Sequence, residues 1–140
     1  MQIMRSCSLK LFVVFFSLFA VNAWAINVIE GVRIWPAPEN TRVVFDLSDK
    51  PDYSYFYLSS PNRLVIDFKN TQNISNLSNL AKNDTRIKLI RTSTSKNNSA
   101  VRLVLELNSN YDDSIFVLAP TGPYGDRLVV DLLDKNVTLS

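Results

Sequence analysis

Histidine is absent from the 140-residue chain, and cysteine occurs once, as Cys7. Zinc hydrolysis, serine and cysteine triads and most general-base schemes near neutral pH draw on imidazole or thiolate groups. The chain is therefore not expected to carry such chemistry itself. No glycine-rich phosphate loop and no metal-ligand spacing occurs either. The longest apolar run, Leu11 to Val21, has eleven residues, against about 20 for a membrane span. Arg5 and Lys10 precede that run and Ala23-Trp24-Ala25 follows it, which is the pattern of a cleaved secretory signal ending before Ile26. There is no twin-arginine pair, and Cys7 lies ahead of the apolar run, where a lipobox cysteine would not be.

Removing residues 1–25 changes the charge balance. Arg5 and Lys10 are two of the 15 basic residues, so 13 remain against 13 acidic ones, and the exported segment is formally neutral. Net charge thus gives no reason to expect nucleic acid or an anionic membrane surface as a partner. Cleavage would also remove the single cysteine. Disulfides are then excluded, and stability must come from a core, for which the remaining 115 residues suffice.

What is present is one pattern, four times. Arg42 to Leu47 (RVVFDL), Arg63 to Phe68 (RLVIDF), Arg102 to Leu107 (RLVLEL) and Arg127 to Leu132 (RLVVDL) each read arginine, apolar, valine, apolar, carboxylate, apolar. Strand side chains alternate faces, so positions two, four and six share an apolar face while the arginine, valine and carboxylate share the other. Val28 to Trp35 and Tyr53 to Leu58 supply two more strands, separated by turns at Pro36–Asn40, Ser48–Asp52 and Ser59–Asn62. The second half repeats the first. Ile90-Arg91 follows Val32-Arg33 by 58 positions, Arg102 follows Arg42 by 60, Tyr111 to Ala119 matches the Tyr53 strand, and Arg127 follows Arg63 by 64. This register predicts an all-β, sandwich-like domain over 26–135. Its halves, about 26–70 and 85–135, form two pseudo-symmetric four-stranded sheets from an internal duplication. Ile74, Leu77 and Leu80-Ala81 are spaced about three apart, which predicts a short helix in the linker 71–84. Residues 136–140 are a polar tail.

Several readings of individual residues stay open on sequence alone. Arginine and carboxylate within one hexamer lie roughly 13 Å apart along a strand and cannot pair there. They either form cross-strand ion pairs on a solvated sheet or present a comb of guanidinium groups to a polymer bearing carboxylates. Tyr53, Tyr55 and Tyr57 share one face, opposite Phe56 and Leu58, and either stack on sugar rings or cover a neighbouring element. Trp35, beside Arg33, and Tyr124, in the last long turn, extend the sugar-stacking option. Asp112-Asp113, Asp46 and Asp67 are the carboxylates from which a glycosidase couple would be drawn, and no pattern singles out such a pair. Asn73, Asn76, Asn97 and Asn136 begin formal glycosylation sequons.

The run from Gly31 through Trp35-Pro36-Ala37-Pro38 to Leu47, followed by Tyr55 to Asp67, closely resembles the AMIN domain. That domain is found at the amino terminus of periplasmic N-acetylmuramoyl-L-alanine amidases and in some pilus secretins. The resemblance implies two symmetric four-stranded sheets that bind peptidoglycan and localise the enzyme, often at the division septum of Gram-negative bacteria. Divisome or secretin proteins are further implied partners. By motif position it places Arg33, Arg42, Asp46, Arg63 and Asp67, and their counterparts Arg91, Arg102, Glu106, Arg127 and Asp131, on the displayed surfaces. In the amidases a zinc-dependent domain with histidine and glutamate ligands follows. Zinc is expected there and no cofactor in this chain, which is expected to be either the targeting part of a longer amidase or a stand-alone module.

Overall fold

The computed structural model describes residues 25–93 and 100–135. The expected signal up to Trp24, the sequons at Asn97 and Asn136 and the polar tail lie outside the described residues. Nine strands follow in order: β1 (Asn27–Pro36), β2 (Asn40–Leu47), β3 (Tyr53–Leu58), β4 (Arg63–Phe68), β5 (Thr71–Asn73), β6 (Ile87–Ser93), β7 (Val101–Leu107), β8 (Asp112–Leu118) and β9 (Asp126–Leu133). They form a five-stranded sheet, β5-β1-β2-β9-β8, and a four-stranded sheet, β3-β4-β7-β6.

Each sheet takes strands from both halves of the sequence. Exchanging β1, β2, β3 and β4 for β6, β7, β8 and β9 converts one strand order into the other, as an internal duplication requires. The bulges obey the same exchange: the β1–β2 register shifts between Ile29 and Gly31, and the β6–β7 register shifts between Ile87 and Leu89, 58 positions later. The added strand is β5, which runs parallel to β1 along Asn27 to Ile29.

The hexamers form the four central strands, β2 beside β9 and β4 beside β7. Their second, fourth and sixth residues face the space between the sheets. Val43, Phe45, Leu64, Ile66, Phe68, Leu103, Leu105, Leu128, Val130 and Leu132 are all fully buried. Together with Ile29, Leu47, Ile87, Ile90 and Leu107 they make one core. Phe45 and Phe68 meet across it with ring centroids 5.8 Å apart, a tilted contact contributing roughly 0.5–1.5 kcal/mol beyond area burial.

The linker corrects one expectation: it forms no helix. Thr71–Asn73 is strand, and the stretch after it is a series of turns. Asn73 Oδ1 accepts the backbone N–H of Ser75 at 3.1 Å, Asn76 Oδ1 accepts that of Ser78 at 2.9 Å, and Asn70 and Asn79 adopt positive φ. Such side-chain turns compete with helical hydrogen bonds, while the open edge of β1 offers the backbone a partner. Leu77, Leu80 and Ala81 still reach the core, so the apolar spacing marked contact without helix.

Candidate functional site

A strand carrying arginine at position one and a carboxylate at position five is self-complementary when two copies pair antiparallel. Arg42 lies opposite Asp131, Val44 opposite Val129 and Asp46 opposite Arg127. Likewise Asp67 lies opposite Arg102, Val65 opposite Val104 and Arg63 opposite Glu106. Only half of these pairs close. Arg42 donates to both oxygens of Asp131 at 2.8 Å, and Arg102 to both oxygens of Asp67 at 2.7 and 2.9 Å. The other two acids are claimed diagonally from the neighbouring strands: Arg33 donates to both oxygens of Asp46 at 2.9 and 2.8 Å, and Arg91 contacts Glu106 at 3.3 Å.

The four-arginine comb is therefore not uniform. Arg63 and Arg127 are left without a carboxylate among the described residues. Arg127 donates to the carbonyls of Gly125 and Ala119, at 3.3 and 3.2 Å, and Arg63 to that of Pro61 at 3.2 Å. Its two terminal nitrogens have no partner among the described residues.

The valines between the charges are not solvated, although they lie on the outward face. Val44, Val65, Val104 and Val129 are each at most 6% exposed. The edge strands roof them: Phe116 lies opposite Val129, with the Arg42 guanidinium 5.8 Å from its ring, and Phe56 lies opposite Val65, with that of Arg102 at 5.4 Å. Each outward face is thus an apolar strip capped by paired arginines and one phenylalanine.

The two faces differ at their rims. Trp35, opposite Arg42, is 57% exposed, and its counterpart opposite Arg102 is Ser93. The turn between β8 and β9 bends Tyr124 onto the five-stranded sheet, where Arg33 and Arg127 lie 5.6 and 5.2 Å from its ring. The shorter Ser59–Asn62 turn supplies no aromatic to the other sheet. One face therefore combines Trp35, Tyr124, Arg33, Arg42 and Arg127, while among the described residues the other has only Phe56 and Leu58 as large exposed apolar groups.

The tyrosine row lies elsewhere. Tyr53, Tyr55 and Tyr57 pair with Phe68, Ile66 and Leu64, so they project from β3 toward the inter-sheet side. Tyr53 packs on the core, while Tyr55 and Tyr57 emerge at the open edge and meet edge-on with centroids 6.3 Å apart. Burial first, and then the Asp113 carboxylate, pushes the Tyr57 phenol up from its ordinary value. Tyr57 of β3 and Asp113 of β8 therefore lie near each other. Asp46 and Asp67 lie on different sheets, each locked to an arginine, which leaves no shared carboxylate couple.

Sequence reasoning missed Arg86, which is 6% exposed and uses all five of its N–H groups. It donates to both oxygens of Asp134 at 2.8 Å, to the carbonyls of Ala37 and Pro38, and to Thr41 Oγ1. Asp84 accepts the Thr41 hydroxyl and the backbone N–H groups of Arg86 and Ile87. The clasp ties the linker to the β1–β2 turn and to the end of β9. Arg86 lies outside the hexamers, and no spacing in the sequence distinguishes it from a surface arginine.

The chain is 34% identical over 124 residues to N-acetylmuramoyl-L-alanine amidase AmiC of Escherichia coli O6:H1 (strain CFT073), a match covering 86% of this chain and 30% of the relative. It is 33% identical over 128 residues to N-acetylmuramoyl-L-alanine amidase AmiC of Neisseria meningitidis serogroup B (strain MC58), covering 83% of this chain and 30% of that protein. The chain thus spans under a third of the length of these relatives. A family model, the AMIN domain, matches residues 31–132, from the first bulge to the end of the last hexamer. The chain belongs to the AMIN domain family.

Proposed function

We propose that this domain binds peptidoglycan and thereby holds an N-acetylmuramoyl-L-alanine amidase on its polymer in the periplasm, including at the division septum. The observation that carries the reading is the outward face of the five-stranded sheet, where exposed Trp35 and Tyr124 flank three arginines. Aromatic rings present flat apolar surface to sugar rings, and guanidinium groups grip carboxylates. Hydrolysis belongs, in this reading, to a separate zinc-dependent domain. The test is co-sedimentation of the exported segment with purified sacculi. Trp35→Ala with Tyr124→Ala is expected to reduce the bound fraction sharply with no change in unfolding midpoint. Unchanged sedimentation would remove this face from the account.

A second reading, a protein-interaction module of an envelope assembly such as a pilus secretin, is favoured by β3. Tyr55-Phe56-Tyr57-Leu58 are all exposed on a sheet edge with no charged residue, and such edges accept a further strand. Retention on a secretin without binding to sacculi would select it.

A further inference from the structure

The hexamer pairing leaves two arginines without an acid, and their surroundings differ. Arg127 is closed over by Tyr124 and by two carbonyls. Arg63 instead lines an open pocket of about 210 Å³ between the β3–β4 and β7–β8 turns. Tyr57, Tyr111, Asn62, Ser109 and Asn110 line it as well. The side chains of Asn62, Ser109 and Asn110 make no hydrogen bonds among the described residues, so amide and hydroxyl groups are spare. The two turns are fixed together by the Leu107 N–H donating to the Asn62 carbonyl at 2.9 Å.

We propose that this pocket is a binding subsite for a single free carboxylate on a short polar carrier, either a peptide end or an acidic sugar. The inference rests on the peptidoglycan reading above and names the part of the polymer that this second place would take. The Arg63 guanidinium supplies the charge. Glu106, which faces it across the β4–β7 ladder, would neutralise it but is held by Arg91. The Asn62 and Asn110 amides would take the carrier's peptide or acetamido groups, and the tyrosine rings its aliphatic part. Size decides against a longer ligand: pockets that enclose drug-sized molecules hold about 300–1,000 Å³, so this one takes a terminal residue and not a chain.

The test is a titration of the isotopically labelled chain with N-acetyl-alanyl-alanine, the same dipeptide as its carboxamide, and N-acetylmuramic acid, followed by backbone NMR shifts. The free acid is expected to shift residues 57–63 and 107–111, and the carboxamide to bind at least about tenfold more weakly, the usual worth of a hydrogen bond to a charged group. A response to the dipeptide assigns a peptide end, and a response to the sugar an acidic sugar. Arg63→Gln should abolish both. Asn110→Trp, at an exposed turn outside the strand ladder, should block the pocket with the guanidinium intact. Equal binding of acid and carboxamide, or no shift in either segment, overturns the subsite. If sacculi still sediment the chain in that case, the peptidoglycan reading stands without it. If sacculi fail to bind as well, both fall.

Discussion

Arg42 and Asp131 stand 89 positions apart in the chain, yet face each other across β2 and β9 and share two hydrogen bonds of 2.8 Å. Arg102 and Asp67 repeat the pair on the other sheet. Both pairs remain partly solvated, with 45% and 28% of the arginine side chains exposed, so solvent screens them. A double-mutant cycle on Arg42→Ala and Asp131→Ala, read by urea unfolding, should give a coupling of about 0.5–1 kcal/mol. The Arg102–Asp67 cycle should agree with it. A coupling near zero would mean that the pairs set strand register without adding stability. Charge reversal at Arg42 or Arg102 would press two carboxylates together, so substitutions at Trp35, Tyr124 and Arg127 are the cleaner probes of binding.

Arg86 should behave differently, because its five donors are satisfied in a buried position. Arg86→Met is expected to cost roughly 1–3 kcal/mol, since it leaves Thr41 Oγ1 and two turn carbonyls without their donor, while the partly exposed Asp134 carboxylate turns to solvent. Arg86→Lys should recover only part of that loss. An ammonium has the charge but not the planar fork that reaches Asp134 and both turn carbonyls at once. Thermal unfolding of the two variants beside the parent checks the order.

The same clasp gives stability a pH dependence. Hydrogen bonding to Arg86 holds the Asp134 carboxyl below the usual aspartate value. A carboxyl lowered on folding contributes in full above its ordinary range, and that contribution is lost as pH falls through the lowered value. Acid should therefore lower the unfolding temperature of the parent more steeply than that of Asp134→Asn, which is less stable at neutral pH and has no such proton to take up. Parallel melting curves across the acid range would refute the linkage.

How much of this was legible follows from the period of a strand. The alternation in Arg42–Leu47 and its three copies fixed which side chains enter the core, and the offsets of 58 to 64 positions matched β1 to β6 and β4 to β9. Pairing between halves was not written there, because an antiparallel Arg-x-Val-x-Asp strand complements every other copy equally well. Nor could alternation show that Val44 and Val129 are roofed by Phe116, since burial on an outward face depends on the neighbouring strand. The Asn-rich linker has apolar residues at helical spacing, yet its side chains capture the backbone in turns. Arg63 and Arg127 read like Arg42 and Arg102; only the diagonal claims of Arg33 and Arg91 set them apart.

The β3 edge supports the last prediction. Its counterpart β8 opens with Asp112 and Asp113, and charge on an edge strand discourages pairing with another chain. Tyr53–Leu58 has no charge and no proline, and five consecutive residues, Ser54 to Leu58, are exposed. A lysine at Phe56 would guard the edge as the aspartates guard β8, but it would also uncover Val65 and remove the ring beneath Arg102. Tyr55→Lys avoids that, because Tyr55 lies on the opposite side of the strand and is 45% exposed. If β3 docks a partner strand, Tyr55→Lys should abolish retention on that partner while leaving sacculus binding and the unfolding midpoint within error of the parent. If the edge is idle, all three measurements will be unchanged, and the outward face of the other sheet remains the surface on which function rests.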